Sequence, residues 1–270
     1  MGDFGKAIRL KRILRPGRGT LVVAFDHPLV LGPIPGTLDP ASQIRRFVRA
    51  RADAVLLNMG ALRYFADAIE AEHVPGLIAR LDWTTAFDEN AKKRPGGFQT
   101  CLVAHPEEAL KAGADAVITF LVVGSGDAQF DKKEIRRVGR LARQCESAGI
   151  PLIVESIARG AQVSNPREPK WLTLHTRIAA ELGADLIKTE SADSLEALRA
   201  VITACPLPIL VLGGSRSGSD DDVLNTVRDI MESGAAGVFF GRNIFQADNM
   251  IELLQRIRAL LAAKSAAQGN

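Results

Sequence analysis

The sequence has few of the residues and patterns that mark specialised classes of protein. Its 270 residues include three cysteines, four histidines and one tyrosine. Cys101, Cys145 and Cys205 are odd in number and lack Cys-x-x-Cys spacing, so neither a disulfide framework nor a zinc site is predicted. No Gly-x-Gly-x-x-Gly follows the first apolar run, which disfavours a doubly wound dinucleotide-binding sheet.

Strong charge and long apolar runs are also scarce. The formal net charge is +3, and the lysines and arginines are spread along the chain without interleaved aromatics. Nucleic acid is therefore not an expected partner. No apolar run approaches the roughly 20 residues of a membrane span, and the first residues contain no apolar signal region. We expect a cytoplasmic protein without a membrane partner.

Eight short apolar runs alternate with amphipathic segments of helical period. They lie near residues 20–25, 54–58, 76–81, 115–121, 151–155, 184–188, 208–212 and 236–240. Four begin with related sequences, such as Gly113-Ala114-Asp115 and Gly183-Ala184-Asp185. Continuous apolar strands that alternate with helices are typical of a covered parallel sheet, and eight of them favour a single (β/α)8 barrel over residues 1–270. An open doubly wound sheet is the competing prediction.

Two segments depart from this regular pattern. The third unit contains a long polar loop from Asp82 to Thr100, which includes Lys92-Lys93-Arg94-Pro95-Gly96-Gly97. We interpret this loop as a lid over the active-site face. Residues 262–270 are rich in alanine, serine and glutamine, and they predict a frayed tail.

Lys188 is the most informative single residue, because it ends the apolar run Ala184–Ile187. An ammonium group is costly to bury, and a lysine in an apolar pocket commonly forms a Schiff base with a carbonyl substrate. The alternative is a purely structural ion pair with Glu155 or Asp26.

Polar residues converge on the same rim in a barrel, because active sites lie at the carboxyl ends of the strands. These ends carry Asp26, His27, Asn58, Arg80, Asp82, Ser125, Glu155, Ser156, Lys188 and Glu190.

The last two strand ends indicate a phosphate site. Glycine allows the main chain to approach an anion closely, and arginine offers a fork of donors that matches phosphate oxygens. Ile244-Phe245-Gln246 is expected to form the short extra helix of such sites. The residues concerned are Gly213, Gly214, Ser215, Gly241 and Arg242.

These motifs together resemble the archaeal-type class I fructose-bisphosphate aldolases, in the deoxyribose-phosphate and tagatose-bisphosphate aldolase superfamily. The resemblance covers about residues 20–250 and includes branches that are thiolase-like on a phosphorylated autoinducer or that make an aminodeoxyheptulosonate. It implies a Schiff base on Lys188, an active-site carboxylate at Asp26, and phosphate held by the two glycine loops. It also implies a homo-oligomer, with a decamer suggested.

The sequence departs from this family at the proton donor. The related fructose-bisphosphate aldolases carry a tyrosine near the end of strand four, where this chain has Val122, and Pro28 replaces the usual glycine after Asp26-His27. The proton-transfer role is therefore expected to fall to His27, Asp82 or Glu155.

The predicted function is that of a metal-independent class I aldolase without a cofactor, acting on a phosphorylated ketose. Its predicted catalytic residues are Lys188, Asp26, His27 and Glu155. The alternatives are a thiolase-like acyltransferase acting on a phosphorylated diketone and a catalytically silent phosphosugar-binding protein.

Overall fold

The computed structural model describes residues 4–66, 73–91, 97–216 and 218–267, with only the backbone described for 263–267. The strands are β1 Thr20–Ala24, β2 Ala54–Asn58, β3 Gly76–Arg80, β4 Asp82–Thr84, β5 Thr100–Leu102, β6 Ala116–Val123, β7 Leu152–Ala158, β8 Leu186–Thr189, β9 Ile209–Leu212 and β10 Gly237–Phe240. The helices are α1 Phe4–Ile13, α2 Pro28–Leu31, α3 Pro40–Arg49, α4 Leu62–Ala66, α5 Pro106–Lys111, α6 Ala128–Ala148, α7 Pro169–Glu181, α8 Leu195–Ala204, α9 Asp220–Glu232, α10 Arg242–Phe245 and α11 Met250–Ala267.

Eight parallel strands close into a barrel with helices between them, which confirms the predicted fold. Their order around the barrel is β1, β10, β9, β8, β7, β6, β3 and β2. The barrel strands are buried along almost their whole length, as expected when an inner core and an outer layer of helices cover both faces. The largest difference from the predicted limits is in β7, which ends at Ala158 rather than at residue 155.

The third unit is less regular than the others. Its polar segment begins and ends as an antiparallel hairpin outside the barrel, with Asp82 paired to Leu102 and Thr84 paired to Thr100. The prediction of one continuous loop is therefore wrong at both ends. The hairpin forms because each strand ladder satisfies backbone groups that a loop would leave unpaired. Residues 92–96, which carry the basic part of the predicted lid, lie outside the described residues.

The repeated aspartates hold the amino-terminal end of the barrel together. Each accepts a backbone N–H from a neighbouring strand at 2.8 to 3.0 Å and pairs with basic residues from the first 18 positions. The sets are Asp53 with Leu21, Arg15 and Arg18; Asp115 with Leu77 and Arg12; and Asp185 with Leu152 and Lys6. The internal repeat thus has a structural role, since it ties α1 and the segment after it across the closed end of the barrel.

The carboxyl-terminal helix α11 packs against α9 and β1. It continues to Ala267, so the backbone is helical over most of the predicted tail, and residues 268–270 lie outside the described part of the chain. Within the described residues, no helix combines the length and apolar character needed to span a membrane.

We predict that Asp53→Ala destabilises the barrel without changing the chemistry at its other end. The substitution leaves the Leu21 N–H and two arginines without their carboxylate, so the free energy of unfolding should fall by about 3 kcal/mol. Denaturant unfolding measures the change. Glu181→Ala, which removes an exposed pair with Arg177, is the control and should have little effect. Equal losses in the two variants would contradict the proposed role of the repeat.

Candidate active site

One cavity of about 390 Å³ at the carboxyl ends of the barrel strands is lined by all nine residues predicted to form the site. These residues are Asp26, His27, Glu155, Lys188, Gly213, Gly214, Ser215, Gly241 and Arg242. The hairpin contributes Phe87 and Glu89 to the wall of the cavity, which places part of the predicted lid segment beside the site.

Lys188 lies in β8 and is only 5% exposed. Its Nζ atom is 2.8 Å from Oε1 of Glu155 on the adjacent strand β7, and it lies 4.6 Å from the centre of the Phe239 ring. The structural ion pair considered from the sequence is therefore present. Because the pair opens into the cavity, its ammonium is also accessible to a ligand there.

Arg80 joins the site in a way that the sequence analysis missed. It lies at the end of β3, is 1% exposed, and donates from Nε and Nη2 to Oδ2 of Asp26 at 2.9 and 2.7 Å. The same Nη2 donates to Oε2 of Glu155. Asp26, Arg80, Glu155 and Lys188 consequently form one chain of buried charges across four strand ends.

The charges around Asp26 and His27 set their protonation. Burial opposes ionisation of Asp26, but the Arg80 guanidinium and the Lys188 ammonium outweigh it and hold the Asp26 pKa well below its usual range. Burial lowers the pKa of His27, and Asp26 only partly opposes this effect. At neutral pH the site therefore contains an anionic Asp26 and a neutral His27.

Asp82, one of the three predicted proton-transfer residues, is fully buried and is not among the residues that line the cavity. Its carboxylate accepts from Thr119, the Phe120 N–H and Arg137 at 2.7 to 3.0 Å and also contacts Arg80. This carboxylate supports the site from behind.

Other strand-end residues also lie behind the cavity wall. Ser156 is 2.9 Å from Nδ1 of His175, a buried residue of α7 whose pKa burial lowers to about 3. Val122 is buried and does not line the cavity, whereas its partner on β7, Ile157, does. The cavity wall on this side is thus apolar.

The two glycine loops meet beside Arg242. A Cβ atom on Gly213 would lie 2.5 Å from Nδ2 of Asn243, and one on Gly241 would lie 2.9 Å from the Ala24 carbonyl oxygen. Gly241 therefore allows its loop to approach the β1 backbone closely, and Gly213 leaves room for the Asn243 side chain. The predicted short helix is α10, which begins at Arg242 and ends at Phe245. Nε of Arg242 is buried, and it has no hydrogen-bond partner within the described part of the chain.

The DeoC/LacD family aldolase profile matches residues 20–247. The chain belongs to this aldolase family. This membership agrees with the resemblance found in the sequence and with a lysine held inside a barrel beside carboxylates.

Relatives of this aldolase include two synthases and one further aldolase. A 2-amino-3,7-dideoxy-D-threo-hept-6-ulosonate synthase of Halobacterium salinarum is 35% identical, over 91% of this chain and 87% of the relative. A 2-amino-4,5-dihydroxy-6-oxo-7-(phosphonooxy)heptanoate synthase of Streptomyces griseus is 31% identical, over 96% of this chain and 90% of the relative. An uncharacterised aldolase of Saccharolobus solfataricus is 32% identical, over 96% and 94%.

Solved structures agree with the family in fold and in chemistry. A Schiff-base-forming fructose-1,6-bisphosphate aldolase superposes with a TM-score of 0.82 and 27% identity, over 94% of this chain and 98% of the other. Another of these structures is an archaeal fructose-1,6-bisphosphate aldolase whose catalytic lysine is bound to the carbinolamine intermediate of the substrate. It superposes with a TM-score of 0.81 and 26% identity, over 94% of this chain and 98% of the other. The chain is therefore a class I, lysine-dependent aldolase.

This aldolase presents a second pair of charges at the rim of its cavity. The Arg159 guanidinium donates through both terminal nitrogens to the Glu190 carboxylate at 2.7 and 2.8 Å, and its centre lies 5.8 Å from the Phe87 ring. Both charged side chains line the cavity. Glu190 is one of the strand-end residues identified in the sequence, and it meets Arg159 because β7 and β8 are adjacent in the barrel.

Proposed function

We propose that this aldolase binds an open-chain ketose with its phosphate at Arg242 and its carbonyl at Lys188. The carrying observation is that Lys188, paired with Glu155, shares one cavity with the glycine loops and with Arg242, whose buried Nε has no partner among the described residues. A fork of guanidinium donors matches phosphate oxygens, and the two glycines leave room for the anion.

Glu155 is the proposed proton carrier for Lys188. Its Oε1 atom faces Nζ at 2.8 Å, so it accepts a proton from the ammonium and leaves a neutral amine that adds to the ketone. The neutral carbinolamine forms when a proton passes from nitrogen to oxygen. Glu155 then returns its proton to the carbinolamine hydroxyl, which departs as water and leaves a protonated imine.

The same carboxylate serves the cleavage step. Ionised Glu155 takes the proton of the hydroxyl on the fourth carbon, the bond between the third and fourth carbons breaks, and its electron pair moves to the imine nitrogen. An aldehyde leaves and an enamine remains. Glu155 then protonates the third carbon, and hydrolysis of the new imine restores Lys188.

Asp26 and His27 have supporting parts in this proposal. The low pKa of Asp26 keeps it anionic, so it stabilises the positive charge of the imine rather than carrying protons. His27 lies against Gly241 and next to Arg242 in the cavity lining, and its lowered pKa leaves a neutral ring that donates one hydrogen bond to the phosphate.

A specific aldehyde partner is favoured by the pair Arg159–Glu190. The products named for the relatives carry an amino acid end and, in one case, a phosphate on the carbon beside the ketone. Aldol cleavage of such a seven-carbon chain leaves a four-carbon aldehyde with an amino acid end. An arginine and a glutamate side by side match the carboxylate and ammonium of that end, so we propose this aldehyde as a candidate partner.

We predict that a ketone phosphate forms an imine with Lys188. Treatment with borohydride and dihydroxyacetone phosphate should inactivate the enzyme and add the reduced ketone phosphate to the peptide that carries Lys188. Lys188→Met should be inactive and unlabelled, because it has no amine. Lys170→Met removes an exposed lysine and is the control. Unlabelled wild-type enzyme, or an active Lys188→Met variant, would refute the assignment of Lys188.

Arg242→Lys tests the phosphate site. Lysine keeps the positive charge but loses the fork, so KM for a phosphorylated ketose should rise roughly tenfold or more, with a smaller change in kcat. Inorganic phosphate should compete with the substrate in wild type and compete less well in the variant. Arg256→Lys, at an exposed pair with Asp221, serves as the control. Equal activity on phosphorylated and unphosphorylated ketoses would show that the glycine loops are only turns.

Arg159→Gln tests the aldehyde end. Loss of the guanidinium should raise KM for an aldehyde with an amino acid end by roughly tenfold, because a charge-assisted contact is lost. KM for an unsubstituted aldehyde of equal length should change little. Synthesis assays with both aldehydes give the comparison. Similar effects on the two aldehydes would indicate that Arg159 only supports the cavity wall.

A further inference from the structure

Arg80 is among the largest fully buried side chains of the described residues, and its guanidinium is surrounded by carboxylates. Two of its nitrogens donate to one oxygen of Asp26, and Nη2 also donates to Glu155. Nη1 lies 3.4 Å from Asp82. The flat face of the guanidinium packs on Phe120, with its centre 3.8 Å from the ring centre.

We propose that Arg80 is a positioning residue that gives the two carboxylates of the active site different tasks. It holds Asp26 as a permanent anion, and it clamps one oxygen of Glu155 so that the other faces Lys188. This inference rests on the proposed function, because the tasks are those of imine stabiliser and proton carrier.

The hydrogen bonds distinguish the two carboxylates. Asp26 gives Arg80 a single oxygen that accepts two charge-assisted bonds, which strongly favour its ionised form. Glu155 is held through Oε2, while Oε1 lies 2.8 Å from Nζ of Lys188. A carboxylate with one fixed oxygen has little rotational freedom, so Oε1 stays directed at the reacting nitrogen.

Several charged groups act on Asp26 from the elements around it. Arg80 on β3 contributes most against the cost of burial, followed by Lys188 on β8 and His27 in the next position of the chain. Glu155 on β7 reaches Asp26 through the shared guanidinium. Loss of Arg80 therefore removes the largest favourable charge from Asp26 and makes this carboxylate easier to protonate.

A second cluster of charges lies behind Arg80 and shares Asp82 with it. Asp82 accepts from Thr119 at 2.7 Å and from Arg137 at 3.0 Å, and Arg137 also binds Glu134. Arg137 is largely covered, with 11% of its side chain exposed, and it shares the acidic partner Asp82 with Arg80 but is not among the residues that line the cavity. Arg137→Lys is thus a matched control for the loss of a buried guanidinium.

The test measures the rate of imine trapping by cyanoborohydride, which survives mildly acidic pH, with dihydroxyacetone phosphate as probe and pH as the variable. In Arg80→Met the acid limb of the profile should move to higher pH by about one to three units, because Asp26 accepts a proton more readily. Arg80→Lys keeps one charge and should move it less, by about half a unit or more. The rate at the optimum should fall roughly ten- to a hundred-fold, since Glu155 loses its orientation.

Controls separate positioning from stability. Arg137→Lys should lower the melting temperature at least as much as Arg80→Lys does, yet leave the acid limb in place. If Arg80→Met fails to fold, Arg80→Lys decides the question. If the acid limb is unchanged in Arg80→Lys while wild type is trapped normally, the proposed role of Arg80 is overturned and the proposed function is not. Absence of trapping in wild type overturns the proposed function together with it.

Discussion

The active site depends on buried ion pairs that join the ends of β1, β3, β7 and β8. Lys188 and Arg80 bring two positive charges beside Asp26 and Glu155, all within the mouth of the barrel. Each of these groups would be costly to bury alone, and each is stabilised by the others. Since the four residues come from four strands, the closed barrel is what keeps the charges balanced. The chemistry and the fold are therefore coupled at this point.

The barrel and most of the site lining were predictable from the sequence for a local reason. Each strand is a short apolar run, and the end of the run marks the rim. That rule places Asp26, Glu155 and Lys188 on one face before any contact is known. The aspartate repeat was visible too, but its purpose was not, because the partners of Asp53 and Asp185 lie in and after a distant helix.

What the sequence did not reveal depends on register between strands that are far apart in the chain. Arg80 and Asp82 look alike as charged residues at the end of β3, yet one reaches the cavity carboxylates and the other faces Thr119 and Arg137. Residues two positions apart in a strand normally lie on the same face. Here β3 ends at Arg80 and the hairpin strand β4 begins at Asp82, so the chain leaves the barrel between these two residues. Only the three-dimensional arrangement separates their tasks.

The apolar wall explains why a carboxylate has the proton-transfer part in the proposed reaction. Phe120 and Ile157 line the cavity beside Glu155, and Val122 is buried outside the lining. The one tyrosine, Tyr64, binds Arg63 in α4 and is not among the lining residues. A carboxylate in this place needs a partner that fixes one of its two equivalent oxygens, because either oxygen could otherwise turn toward Lys188 or away from it. Arg80 is that partner, since its Nη2 donates to Oε2 of Glu155 and leaves Oε1 facing Nζ of Lys188.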